Sequence, residues 1–334
     1  MDDTLSAPLP APTAPETFGV CVRDWGDEAA CHALGNLVGG ATRELSRYID
    51  LANLDGLTLG GDYARALAGL DRGYQSTIVL TPSNDVAVGI AMTPSVIRDG
   101  QLRSHIVLNA GLMDALRDDE HELFRFALHT LAHECAHVEI TGAFDRCFPN
   151  VLLRSKRTDL QDQCRWDVIL ACWDEYAACR ISAGFGDDPT DGYEETLVQA
   201  LQTARDKANA AIRAYRWHGD HARIVREVYA EYGRLMKYAA YLLGDLDARG
   251  QTVDDRPALA AALEGHFFAA RLAQLHQALQ AIFDGFGAWT NETLFGAVGD
   301  IVDDLAVEGG VVVTKTTPGF VKIDVPFSPD TMPA

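Results

Sequence analysis

Residues 126–138 read FALHTLAHECAHV, and this stretch determines how the rest of the sequence is interpreted. His133 and His137 are four residues apart, so on a helix their imidazoles lie one turn above each other and can bind one ion, each nitrogen about 2 Å from it. Glu134 lies about 100° further around the same helix, beside that ion. These residues form the pattern H-E-x-x-H, in which two histidines bind zinc and the glutamate acts on a bound water as general base. The spacing therefore predicts a metal-binding helix.

The residues around the motif predict that this helix is buried. Two stripes run along it at helical spacing, and together they make the helix apolar nearly all round: Leu123, Ala127, Thr130, His133 and His137, and Phe124, Leu128, Leu131, Cys135 and Val138. Histidines and a glutamate inside such a helix need polar partners, which a metal would supply. The alternative is a pair of core histidines bonded to backbone carbonyls. We expect the helix to begin near Asp118–Glu120, because acidic residues favour a helix N-terminus, and to end before Gly142.

A second predicted helix supplies a third metal ligand. Its inward stripe steps by three and four through Leu160, Cys164, Val168, Cys172, Glu175 and Cys179. A carboxylate on an inward face is unfavourable unless it ligates a metal or pairs with a cation. The alternative to metal ligation is a salt bridge between Glu175 and a basic residue such as Arg180. We therefore predict that His133, His137 and Glu175 hold one Zn²⁺ and that Glu134 is the catalytic base. The cysteines of the two helices fall on their apolar stripes, where a thiol acts as a small hydrophobe. No C-x-x-C pair indicates a separate thiolate zinc site.

Other residues near the motif compete for the role of third ligand. His129 lies two turns before the second motif histidine, about 12 Å along the helix axis, which is too far to share one ion. Asp145 would fit a metzincin-like arrangement, but that signature needs a glycine and a ligand where this chain has Ile140 and Ala143. Asp145 and Asp174 stay as alternatives to the glutamate on the second helix.

The motif and the later segment Asp174–Ala178 (DEYAA) together resemble a gluzincin-type zinc peptidase over roughly residues 75–185. Gluzincins take their third ligand from a glutamate on a helix after the motif helix, often followed by small residues, and the ImmA/IrrE-like intracellular proteases are one such group. The resemblance implies hydrolysis of peptide bonds by a metal-activated water. A donor for the oxyanion is also needed, and Tyr176, His218 and His221 are candidates by residue type. The alternative function is a non-catalytic regulatory or binding protein on a zincin scaffold.

Composition restricts the partners. The chain has 334 residues, 48% of them hydrophobic, and a formal net charge of -20. The negative charge argues against nucleic acid and anionic membranes as partners. The expected partner is a protein or peptide substrate, as the resemblance to a zinc peptidase implies. The first residues lack a basic region followed by an apolar core, and no apolar run approaches 18 residues, so we expect a cytoplasmic protein. A regulatory protein partner is possible, but the sequence does not identify one.

The pattern along the chain predicts a mainly helical α+β protein. We expect a flexible Ala/Pro-rich arm over residues 1–17, a zincin-like core over 18–188, and a helical half with a terminal hairpin over 189–334. In the core we expect helices over 27–49, interrupted near Gly39-Gly40, and over 63–70, with strands over 76–80, 87–92 and 105–109. The last strand is expected either at a sheet edge that can pair with an extended peptide or inside the sheet.

The C-terminal half is expected to contain four helices and a hairpin. Apolar spacing predicts the helices over residues 193–217, 222–246, 257–283 and 291–305. Two β-branched runs around Thr317–Gly319 predict the hairpin over 311–325, with strands that could extend the N-terminal sheet.

Overall fold

The computed structural model describes residues 8–82 and 89–332. The chain is a mainly helical α+β protein, which confirms the predicted fold class. By its internal contacts it divides into two compact units, Met1–Arg146 with Ile181–Asp187, and Cys147–Arg180 with Asp188–Ala334. The division therefore differs from the boundary expected at residue 188, because most of the second predicted helix groups with the helical half.

The first unit contains one mixed sheet. Its strands are β1 (Gly19–Arg23), β2 (Leu54–Gly60), β3 (Ala91–Met92), β4 (Ser95–Arg98) and β5 (Gln101–Asn109). β1, β2 and β5 are parallel, while β3 and β4 pair antiparallel with β5. β5 contains the strand predicted over residues 105–109 and lies inside the sheet, so the edge alternative is wrong for it. The edges are β1 on one side and the short strands β3 and β4 on the other.

Several strand predictions fail for local reasons. Residues 76–80 form no strand, and the side chains of Ile78 and Val79 are 70% and 65% exposed. Of the strand predicted over 87–92, residues 87 and 88 lie outside the described residues, and only Ala91–Met92 is a strand. β2 escaped prediction because it contains glycines. One of them, Gly56, is required by close packing, since an added Cβ would lie 2.6 Å from the carbonyl oxygen of Gly19 on β1.

The helices of the first unit are α1 (Glu28–Leu45), α2 (Tyr63–Ala68), α3 (Ala110–Asp114) and α4 (Phe124–Cys147). α1 runs through Gly39 without the predicted interruption, because this glycine faces β1; an added Cβ would lie 3.3 Å from Val20. α4 is the motif helix, and it begins and ends later than predicted. It continues past Gly142, whose position against Asn53 leaves only 3.1 Å for a Cβ. Here glycine permits close packing instead of ending the helix.

The motif helix belongs to the core of the first unit. Leu131 and Cys135 of α4 share one buried cluster with Leu57, Ile106 and Leu108 of the sheet. The opposite side of the sheet carries a smaller cluster formed by Tyr63, Ala66, Leu67 and Val107. The sheet and α4 therefore hold the H-E-x-x-H motif on a packed support.

The Ala/Pro-rich segment is docked where the structure describes it. The hydroxyl of Thr13 donates to the carbonyl oxygens of Ser46 at 2.7 Å and Ile49 at 3.0 Å, and accepts the N–H of Leu51 at 2.9 Å. Ala14 is buried in the main core. The expectation of a flexible arm is therefore wrong for residues 8–17, because hydrogen bonds at the end of α1 replace the missing apolar face. Residues 1–7 lie outside the described residues.

The second unit is built from helices. They are α5 (Leu160–Ser182, grouped here as far as Arg180), α6 (Thr190–His218), α7 (His221–Arg249), α8 (Pro257–Leu263), α9 (Ala269–Asp284) and α10 (Gly296–Glu308). The single helix predicted over 257–283 is divided by a turn at Gly265, whose φ is +68°. β6 (Val312–Lys315) and β7 (Val321–Asp324) form the predicted hairpin. They form a sheet of their own, so the prediction that they extend the N-terminal sheet is wrong.

α5 is held tightly by α7. Two glycines of α7 face it: an added Cβ would lie 2.4 Å from Val168 at Gly233, and 2.2 Å from the carbonyl oxygen of Tyr176 at Gly244. On α5, Trp173 also packs edge-on against Trp289 at a centroid distance of 5.3 Å. This packing explains why α5 groups with the helical half. No helix of the described residues is both long and apolar enough to span a membrane.

Candidate active site

α4 places the two motif histidines side by side. Nε2 of His133 and Nε2 of His137 are 3.1 Å apart, and the ring planes meet at 88°. Two imidazole nitrogens bound at about 2.05 Å to a tetrahedral zinc ion would be about 3.3 Å apart. The two rings therefore present their nitrogens at the separation that one zinc ion requires.

Glu134 lies buried beside this pair and is held by a hydroxyl group. Its residue surface is 6% exposed. Oγ1 of Thr93 donates to Oε2 of Glu134 at 2.6 Å. It also lies 3.1 Å from the backbone carbonyl oxygen of Glu134. Thr93 directly follows β3, so an edge strand of the sheet fixes the carboxylate of the proposed base. Nothing in the sequence pattern marked Thr93, since this contact depends on tertiary structure.

Tyr63 lies near Glu134 and carries a neutral hydroxyl group that can donate a hydrogen bond. Burial, and then the negative charge of Glu134, raise the pKa of the Tyr63 phenol above its ordinary value. Its hydroxyl is buried and makes no hydrogen bond among the described residues. Tyr63 therefore keeps its proton near the proposed base.

Glu175 lies on α5 near two tyrosines of the helical unit. Burial is the main cause that raises the pKa values of Tyr193 on α6 and Tyr241 on α7, and the charge of Glu175 raises both further. The rings of Tyr193 and Tyr241 are 5.3 Å apart. Arg180, the alternative cation for Glu175, lies instead 3.6 Å from a carboxylate oxygen of Asp247. The two tyrosines escaped sequence analysis because they read as parts of apolar helical stripes.

The three ligands predicted from the sequence are a candidate metal-binding group. In the part of the chain that the structure describes, His133, His137 and Glu175 are the one group of three or more His, Cys, Asp or Glu residues able to hold a metal ion. Two imidazole nitrogens and one carboxylate oxygen form the donor set of a catalytic zinc site, which leaves a fourth position for water or substrate.

The competing ligands are not in this group. His129 is buried, with Nδ1 3.2 Å from the carbonyl oxygen of Phe185. Asp145 and Asp174 also lie outside it. Burial raises the pKa of Cys164 to about 11, and raises those of the fully buried thiols Cys135, Cys172 and Cys179 as well. These cysteines stay protonated and pack as small hydrophobes.

The structure supports none of the three residues that the sequence offered as hydrogen-bond donors to the oxyanion. The Tyr176 hydroxyl bonds to the carboxylate of Asp247 and accepts a hydrogen bond from Arg180 at 2.8 Å. His218 and His221 are exposed at the turn between α6 and α7. Along α7, His221 is about 30 Å from the level of Tyr241, at 1.5 Å per residue. Both histidines are therefore remote from the surroundings of Glu175.

The chain matches no family model, no curated protein and no solved structure.

Proposed function

We propose that this chain is a zinc-dependent metallopeptidase in which His133, His137 and Glu175 bind one zinc ion and Glu134 is the general base. The observation that carries the proposal is the pair of Nε2 atoms 3.1 Å apart beside the buried carboxylate of Glu134. Glu175 is included as the third ligand because these three residues could hold one ion. Metal-binding histidines alone would serve a structural site equally well. The adjacent carboxylate, fixed at Oε2, is what favours hydrolysis.

When bound, zinc supplies a Lewis acid that lowers the pKa of a water and polarises the peptide carbonyl. Glu134 takes one proton from the attacking water, whose oxygen bonds to the carbonyl carbon. We assign Oε1 of Glu134 to this proton, because Thr93 donates to Oε2. Glu134 then gives the proton to the amide nitrogen as the C–N bond breaks, which yields a carboxylic acid and an amine.

The edge of the sheet beside Glu134 favours an extended substrate. β3 pairs with β5 on one side only, and its outer edge has no strand partner among the described residues. Thr93, at the end of β3, touches Glu134. An extended segment of an intracellular protein or peptide can therefore pair with this edge and bring a peptide bond to the base.

Full-length wild type, Glu134→Gln and Glu175→Gln test the proposal. Zinc is measured by elemental analysis after purification without added metal, and hydrolysis by mass spectrometry on a library of proteome-derived peptides. Wild type should hold about one zinc ion per chain. Glu134→Gln should keep the zinc and lose hydrolysis by about 10²-fold to 10⁴-fold, since only proton transfer is removed. Glu175→Gln should lose zinc.

Two results would contradict the assignment in different ways. If Glu175→Gln holds zinc like wild type while Asp145→Asn loses it, the ligand set is wrong. If wild type holds zinc but cleaves no peptide, the chain is a binding or regulatory protein with a zincin-like metal site.

A further inference from the structure

The backbone around Thr93 is anchored on both sides to the central strand. The N–H of Asn109 donates to the carbonyl oxygen of Ile90 at 2.9 Å, before β3. After β3, the N–H of His105 donates to the carbonyl oxygen of Pro94 at 3.0 Å. Thr93 lies between these two attachments. Its Cα is therefore fixed by the sheet, independently of α4.

The side chain of Thr93 is suited to holding another group in place. A β-branched residue has few accessible χ1 rotamers, so its hydroxyl points in a defined direction. That hydroxyl has one proton to donate, and the 2.6 Å contact to Oε2 of Glu134 is shorter than the 3.1 Å contact to the carbonyl oxygen. The hydroxyl therefore donates its hydrogen bond to the carboxylate of Glu134. Glu134 has three rotatable side-chain bonds, and this hydrogen bond fixes the carboxylate at the end of the side chain.

From this geometry we propose that Thr93 is the positioning residue for the general base, an inference that rests on the proposed peptidase function. Thr93 holds Oε2 of Glu134 so that the other oxygen faces the attacking water. Its contribution is to geometry, because it contacts the base and none of His133, His137 or Glu175 among the hydrogen bonds described. Removal of the hydroxyl should therefore slow catalysis while zinc binding stays intact.

The test compares Thr93→Val, which keeps the shape and loses the hydroxyl, with Thr93→Ser, which keeps the hydroxyl. Thr93→Ala is a second variant that lacks it, in case the valine does not fold. For a peptide that wild type cleaves, Thr93→Val should lower kcat by about 10-fold to 100-fold, the cost of a misplaced catalytic group, with KM and zinc content close to wild type. Thr93→Ser should stay within about threefold of wild type, since it restores the donor.

Crystal structures of the zinc-free proteins give a readout that does not depend on activity. The Glu134 carboxylate should keep its position in wild type and Thr93→Ser and be displaced in Thr93→Val. An unchanged kcat in Thr93→Val, a failure of serine to restore kcat, or an undisplaced carboxylate overturns the inference. If wild type cleaves no peptide, the proposed function fails separately, and the carboxylate position alone decides whether Thr93 holds Glu134.

Discussion

The carbonyl oxygen of Tyr176 lies so close to Gly244 that a methyl group on this glycine would be 2.2 Å from it. Backbone of α7 therefore touches backbone of α5 at the residue that directly follows Glu175. The position of this proposed ligand is set by helix packing as well as by its own side chain.

Gly244→Ala should displace α5 and lower stability by about 1–3 kcal/mol, because a Cβ cannot fit against a carbonyl oxygen. Zinc affinity should fall as well, since the displacement reaches Glu175. Gly192→Ala on α6 is the matched control, because nothing lies within 4 Å of its added Cβ. That variant should gain about 0.5–1 kcal/mol of helix propensity. Urea unfolding and chelator competition measure both effects, and equal behaviour of the two variants would refute the packing argument.

Replacement of a single motif histidine should abolish zinc retention. His133→Ala removes one of the two nitrogens that lie 3.1 Å apart. The control is His129→Ala, one turn earlier on α4, which removes the contact to the Phe185 carbonyl and no predicted ligand. Elemental analysis should find about one zinc ion in His129→Ala and almost none in His133→Ala. Equal zinc in both proteins would reject the ligand assignment.

The docked N-terminal segment should contribute to stability through Thr13. Its hydroxyl bonds to backbone groups of Ser46, Ile49 and Leu51 at the end of α1. Thr13→Ala should lower the free energy of unfolding by about 1–2 kcal/mol, as expected for lost helix-end hydrogen bonds. Thr17→Ala, at an exposed residue, should stay within about 0.5 kcal/mol of wild type. Denaturant titrations decide, and a Thr13→Ala curve that coincides with wild type would show that docking is energetically unimportant.

His105 should make the first unit less stable in acid. Nδ1 of His105 lies 2.7 Å from Asp55, which also pairs with Arg98, and Nε2 lies 2.9 Å from the Thr58 hydroxyl. Burial lowers the pKa of His105 and outweighs the opposing effect of Asp55, with the charges of Arg98 and Arg23 acting in the same direction as burial. The folded protein therefore favours the neutral ring. This stabilisation is fully present above about pH 6.5, the unfolded pKa, and is lost as the pH falls through the lower folded pKa.

His105→Gln should weaken this acid sensitivity, because glutamine does not titrate. Urea unfolding of the chelator-treated proteins between pH 8 and pH 5 measures the difference, and other histidines contribute equally to both curves. Parallel pH dependence in the two proteins would exclude His105 as the cause.

Sequence periodicity is sufficient to predict the long helices and insufficient to predict the sheet. The stripes of α4 and α5 are local patterns repeated over several turns, so the sequence alone marks His133, His137 and Glu175 as candidate ligands. β2 contains Asp55 and two glycines, and its strand character depends on neighbours that are distant in sequence. The glycines mislead prediction for the same reason: at Gly142, packing against another element decides the conformation.

The contacts around the proposed base are also invisible in the sequence. Thr93 reaches Glu134 from 41 positions away, and only the antiparallel pairing of β3 with β5 brings it there. Tyr241 comes near Glu175 because two glycines let α7 pack closely on α5. Spacing is sufficient to nominate the candidate ligands and the candidate base, whereas the residues that orient these side chains depend on tertiary structure.

The parallel sheet has a kinetic consequence for the whole chain. β1 pairs with β2, and β2 pairs with residues 104–109 of β5, so each pairing must close a long loop before it gains hydrogen bonds. α6 and α7 are joined by a two-residue turn and meet along their length, which costs little loop entropy. High contact order slows folding, so on refolding from urea the helical signal should recover before the sheet that supports His133 and His137. The motif helix would then acquire its final environment late, and uptake of the proposed zinc ion during refolding would follow the slow phase.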